Sequence, residues 1–152
     1  MTDAATADLL ARFLDGPRIV RAAFDGFERA QPAPPPGEGE WTAHDIVVHL
    51  ADAEIVRAAR FRLILGEDDP ALSPFDQDRW QSRLAYPSRS PELALAVFET
   101  MVRSSHELLS AVPPESLART APHPDGPLSC LDLLERGIAH ATAHAAQIAS
   151  AR

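Results

Sequence analysis

Cysteine occurs once in the 152 residues, at position 130. A single thiol excludes an internal disulfide and a thiolate-rich metal site. Net positive charge is missing as well: 14 Lys and Arg stand against 22 Asp and Glu, a formal charge of -8, which argues against a nucleic-acid-binding face. Arg57, Arg60 and Arg62 read as an ordinary solvated helix face. No apolar run reaches the roughly 20 residues of a membrane span. The start, MTDAATADLLARF, lacks the basic-then-apolar layout of a signal peptide. The expectation is a soluble, cytoplasmic protein that binds neither nucleic acid nor membrane. Strand patterning is absent too, so the expected class is all-α.

What is present is helical periodicity punctuated by proline. Hydrophobic residues make up 45%, an ordinary globular value, and the length suits one domain over 1–152. The first helix is expected over 6–30, with Leu9, Leu10, Phe13, Val20, Phe24 and Phe27 as its apolar set and a kink or break at Gly16-Pro17. The proline-dense stretch 31–39 reads as an extended connector. Thr42 is an N-cap with Asp45 three residues on, and Trp41 and Ile46 have staple spacing, so a second helix runs to about Leu65 and stops at Gly66. Residues 67–89 form a long crossover connection with a short helix near 75–84, where Trp80 and Tyr86 read as packing residues that could also border a pocket mouth. Ser90 and Pro91 open a third helix that ends before Pro113-Pro114, and 113–127 reads as loop. Ser129 and Asp132 repeat the capping signal for a fourth helix, with Leu128 and Leu133 at staple spacing.

Of six histidines, His44, His106 and His123 read as surface residues, and three carry the chemistry. His140 and His144 are four apart, which puts both rings on one helix face, roughly 6 Å apart at Cβ. They border the stripe Leu134, Ile138, Ala141, Ala145 and Ile148, and small neighbours such as Gly137 and Ala141 leave room for an ion and a ligand. His49 faces the core from the second helix, among Ile46, Leu50 and Ala53. Three imidazoles leave coordination positions open, the pattern of a catalytic rather than a structural site.

Two motifs resemble a known family. WTAHDIVVHLADAE (41–54) is similar to the DinB/YfiT-like superfamily signature of a Trp, a helix start and His-Leu-Ala-Asp. LDLLERGIAHATAHAAQI (131–148) resembles its second motif, two histidines four apart followed by Gln-Ile. The layout match spans nearly the whole chain, and the motifs cover about a fifth of it. The resemblance implies a four-helix bundle holding one divalent metal ion on His49, His140 and His144. It also implies a small-molecule substrate, thiol-dependent transfer, isomerisation or hydrolysis with a low-molecular-weight thiol as a co-substrate, and a homodimer as one expected assembly. Relatives often carry a further His beside the second metal histidine, and Ala143 stands there in this chain.

Other chemistries fit less well. Di-iron bundles need Glu-x-x-His, which does not occur, and zincins need Glu after the first histidine, where this chain has Ala141. Asp45 reads as the capping acid, with orientation of the His49 ring as its alternative role. Asp52 and Glu54 read as solvent-side or interhelical partners. Gln147 could equally touch a bound ligand or make a core-edge hydrogen bond. Cys130 lies ten residues before His140, about 15 Å along the axis, and reads as structural. The ion could be zinc, nickel or iron. No general base is evident, which keeps a non-catalytic metal or small-ligand binding module, or a purely structural bundle, as alternatives.

Overall fold

The computed structural model of the chain describes residues 3–29 and 40–151. The connector expected at 31–39 lies outside them. In chain order the helices are α1 (Asp3–Arg29), α2 (Ala43–Gly66), the short α3 (Gln77–Arg83), α4 (Pro91–Ala111) and α5 (Cys130–Ser150). The four long helices form the expected bundle, and α3 sits within the connection between α2 and α4.

The helix starts follow from their caps. Thr42 Oγ1 accepts the Asp45 N–H at 3.0 Å while the Asp45 carboxylate accepts the Thr42 N–H at 3.1 Å. Ser129 and Asp132 repeat this reciprocal pair at 3.1 and 2.8 Å. Each pair satisfies two amides that a helix start leaves without partners. Ser90 caps α4 through the Leu93 N–H at 3.2 Å. Of the kink or break expected at Gly16-Pro17, the break does not occur: α1 runs through Pro17 as a continuous helix. Proline already holds a helical φ and deletes one hydrogen bond, and here both Gly16 and Pro17 are buried in packing that holds the helix together.

The all-α class holds, and the segment expected as loop at 113–127 carries short local structure. Residues Pro114–Ala118 form a 3-10 turn, and β1 (Thr120–Ala121) pairs antiparallel with β2 (Leu128–Ser129). Two-residue strands are too short for an alternating pattern to show in sequence. They are brought together by the turn in which the Gly126 N–H reaches the His123 carbonyl at 3.0 Å, with Gly126 at φ 106. The long connection ties onto this loop, since the Leu72 N–H donates to the Pro122 carbonyl at 3.0 Å. At its far end Ala85 takes a left-handed conformation (φ 52) that starts a 3-10 turn over Tyr86–Ser88 and drives Tyr86 fully into the core.

Within the bundle, α1 packs on α5 and α4, and α2 packs on the same two helices from the opposite side. The helices α1 and α2, consecutive in the chain, are therefore diagonal neighbours. The half of α2 nearest its start is enclosed: every residue from Asp45 to Glu54 is buried. A close approach occurs at Gly137 on α5. A Cβ there would lie 2.9 Å from the Phe13 ring and 3.3 Å from Arg57 Cδ. Phe13 cannot readily yield, because it is buried and packs edge-on against Phe61 at 6.1 Å between centroids. Replacing Gly137 by Val is expected to destabilise the fold by about 1–3 kcal/mol, overpacking outweighing the better helix propensity. Urea denaturation checks this, and an unchanged midpoint would contradict the close packing.

Candidate metal centre

The structure brings His49, His140 and His144 together. Helix α2 delivers His49 from its buried half, and α5 delivers the other two from successive turns. His140 Nε2 lies 3.0 Å from His49 Nε2 and 3.1 Å from His144 Nε2. One ligand atom from each of the three lies within 4.8 Å of the others. An ion about 2.0–2.1 Å from each nitrogen in a tetrahedral site sets the nitrogens roughly 3.3 Å apart, close to this spacing. The donor set thus fits a divalent ion in size and in kind.

Electrostatics keep the rings available as ligands. Burial, then the charge of His144, holds the His49 pKa down to about 4. Burial, then the Arg57 guanidinium, presses His140 down to about 2. Burial also lowers His144, against the opposing hydrogen bond to Gln147. Neutral imidazoles offer a lone pair, as metal ligands must. The outer nitrogens differ. His144 Nδ1 is 2.9 Å from Gln147 Oε1, whereas His49 Nδ1 is buried with no hydrogen-bond partner. The Trp41 ring meets His49 edge-on at 5.0 Å.

The charges around the triad depart from expectation. Arg57 does not lie on a solvated face. Its side chain is 11% exposed and pairs with Glu54, whose side chain is 1% exposed. Burial raises the Glu54 pKa, and Arg57 opposes the rise. Arg60 is half-buried and donates to the Ser73 carbonyl at 2.5 Å; Arg62 is exposed, as expected. Asp52 is buried and receives both Arg89 terminal nitrogens at 2.6 and 2.8 Å. Tyr86 stacks under Arg89, 5.5 Å from ring centroid to guanidinium carbon. Asp45 serves as the capping acid; its second oxygen, Oδ1, is buried without a partner.

Among the histidines expected at the surface, His44 is half-buried and bonds the Arg89 carbonyl, and His123 has a side chain only 5% exposed, folded against Asp125. His106 is half-buried on α4. Local sequence carries no signal for these positions, because their burial depends on tertiary packing. Cys130 is buried, and burial pushes its thiol up to about 12, which suits a packing role.

A cleft of about 540 Å³ opens beside the triad. His144 reaches it, with Glu40, Trp41, Gln77, Gln147 and Ser150 among its walls. Of the pocket-mouth candidates, Tyr86 is fully buried and Trp80 packs on Phe75 with centroids 4.7 Å apart. The aromatic in the wall is Trp41. Among the described residues, no helix is long and apolar enough to cross a membrane.

The fold and the histidine cluster define a class, and comparison supplies the family. The model of the DinB superfamily matches residues 12–148, and the chain belongs to that superfamily. A protein of Bacillus subtilis named "Putative metal-dependent hydrolase YfiT" is 28% identical over 109 residues, 72% of this chain and 61% of that protein. A protein of the same general name from Oceanobacillus iheyensis is 26% identical over 111 residues, 73% of this chain and 64% of that protein. The chain therefore matches somewhat under two thirds of these relatives' length. The solved structure described as "YfiT from Bacillus subtilis is a probable metal-dependent hydrolase with an unusual four-helix bundle topology" superposes with a TM-score of 0.88 at 24% identity, over 99% of this chain and 87% of that one. At that identity the superposition establishes the shared fold.

Two outcomes follow from the charges. Arg57→Met would leave Glu54 buried and unpaired, at an expected cost of about 3–5 kcal/mol near pH 8. The cost should shrink as the pH is lowered from 8 to 5, because burial raises the Glu54 pKa and a proton relieves the unpaired charge, and Glu54→Gln combined with Arg57→Met should recover most of it. Equal losses at both pH values would refute the burial of that charge.

The second outcome concerns pH. The folded state disfavours protonated rings, while unfolded imidazoles titrate near about 6.5 and take up protons below it. Metal-free protein should therefore lose stability as pH falls from about 6.5 toward the His49 value of about 4. His49→Gln should flatten that slope in denaturant titrations; an unchanged slope would count against it.

Proposed function

We propose that the chain is a metal-dependent hydrolase acting on a small molecule, with His49, His140 and His144 as the protein ligands of one divalent ion. The observation that carries this reading is the convergence of three imidazoles beside an open cleft, with His140 Nε2 3.0 and 3.1 Å from the Nε2 atoms of His49 and His144. When bound, such an ion supplies Lewis acidity that brings the pKa of water or a thiol toward neutrality.

The chain's own residues do the rest. Three histidines leave further positions to exogenous groups, and the cleft gives those groups a route to the His144 side of the site. Buried walls around His49 and His140 exclude bulk water from the back of the centre. Gln77, Gln147 and Ser150 offer hydrogen bonds to a polar substrate. Glu40 is the carboxylate in the cleft wall, and we assign proton transfer to it.

A low-molecular-weight thiol is the alternative nucleophile. Cys130 is buried and does not line the cleft, so any thiol in the reaction would come from solution. Relatives named as hydrolases support the first reading.

Metal-depleted protein titrated with zinc, nickel and iron(II) decides the centre. Wild type should bind one equivalent, and His49→Ala and His140→Ala should lose binding. Wild-type affinity in either variant would sink the ligand assignment. Loaded protein should hydrolyse members of an ester and amide panel and stop on chelation, and Glu40→Gln should lower kcat by about 10²–10⁴-fold with metal affinity unchanged. Turnover of electrophiles only when a thiol is added would favour transfer over hydrolysis.

A further inference from the structure

The three rings are held unequally, and the inequality points to a residue outside the ligand set. His49 has an outer nitrogen sealed in the core with no partner. His144, the ring that borders the cleft, has its outer nitrogen 2.9 Å from the Gln147 side-chain oxygen. The two residues are three apart on α5, and Gln147 itself lines the cleft. An amide oxygen accepts and cannot donate, so this contact requires the proton on His144 Nδ1. A neutral imidazole with its proton on Nδ1 has its lone pair on Nε2, and Nε2 is the atom that faces His140 at 3.1 Å. Were the amide turned the other way, its nitrogen would donate to Nδ1, the ring proton would sit on Nε2, and His144 would present a proton to the centre instead of a lone pair.

We infer that Gln147 is a positioning residue of the centre: its carbonyl selects the Nδ1–H form of His144 and so presents Nε2 as the ligating nitrogen. The inference rests on the metal reading above and adds to it the residue that sets the tautomer. Partners of this kind fix ring orientation and raise ligand basicity, and their loss typically costs about 10–100-fold in metal affinity. Gln147 is exposed on the last turns of α5, and its backbone carbonyl serves the Ala151 N–H and Ser150 hydroxyl independently of its side chain. Substitution there leaves the helix end intact.

The test pairs a spectroscopic readout with a binding one. In metal-free, nitrogen-15-labelled protein at pH 8, long-range proton–nitrogen spectra should show His144 as the Nδ1–H tautomer. In Gln147→Leu the ring should shift toward the Nε2–H form. Zinc affinity, measured by competition with a chelating dye, should fall about 10–100-fold in Gln147→Leu. Gln147→Glu keeps an acceptor of similar reach and should restore wild-type affinity or exceed it, which loss of packing alone would not predict. An Nε2–H tautomer of His144 in wild type would overturn the inference, as would wild-type zinc affinity in Gln147→Leu. If wild type itself binds no zinc, nickel or iron(II), the metal reading falls and the positioning role with it; if wild type binds and the Leu variant binds equally, only the role of Gln147 falls.

Discussion

The constraint on which the structure turns is the enclosure of the first half of α2. A helix segment buried on all sides is ordinarily apolar throughout, yet this one carries Asp45, His49, Asp52 and Glu54 among its buried residues. An unpaired buried charge is costly, so each needs a partner. Asp45 spends one oxygen on the helix cap, Asp52 takes the Arg89 fork, and Glu54 takes Arg57 from its own next turn. His49 stays neutral and turns its Nε2 toward α5. The polar residues on this half of α2 thus dictate much of what surrounds it.

The connection between α2 and α4 helps to meet that demand. Its length follows from the two helices running parallel, since His44 near the start of α2 bonds the Arg89 carbonyl just before α4 while Arg62 farther along α2 is bonded to Ser104 of α4; the returning chain sets Arg89 beside Asp52 and Tyr86 beneath it. Residues 67–89 run by way of the loop at Pro122, where Leu72 bonds, and return through α3 and the left-handed turn at Ala85. Arg89 then closes on Asp52, and its carbonyl receives His44. The segment's Tyr86 meets Trp41, the ring that lies against His49. Burial there lowers the affinity of the rings for protons, and the same burial makes their lone pairs available near neutral pH.

Much of this was legible in the residues, and the reasons are local. Thr42 with Asp45, Ser90 with Pro91, and Ser129 with Asp132 mark helix starts through hydrogen bonds spanning three residues, so sequence spacing alone reveals them. The four-residue interval of His140 and His144 is likewise a property of one helix, and the core-side phase of His49 follows from its neighbours. What was not legible depends on distant parts of the chain. Arg57 resembles a solvated arginine until Gly137 brings α5 against its stem and Glu54 is enclosed. His123 is covered only because the 120–129 hairpin folds back, and Trp41 becomes a cleft wall only when α5 and α3 stand opposite it. The continuous helix through Pro17 shows the same limit: a local rule allows either a kink or a break there, and the helix that forms is unbroken.

The charge balance at the centre bears on what it can do. Its candidate ligands are three neutral rings, with no carboxylate among them. Such a set would leave a divalent ion its full double charge. The ionic groups that act on the rings come as pairs, Arg57 with Glu54 and Asp52 with Arg89, so little net charge from them would offset it. An anion gains more from such a site than a neutral molecule does, because the gain in a low-dielectric setting scales with the charge it brings. Under the proposed metal reading, such a centre would favour ionised nucleophiles, hydroxide or thiolate, over their protonated forms, and it would serve hydrolysis and thiol chemistry alike. The choice between them then passes to the cleft walls that select the substrate.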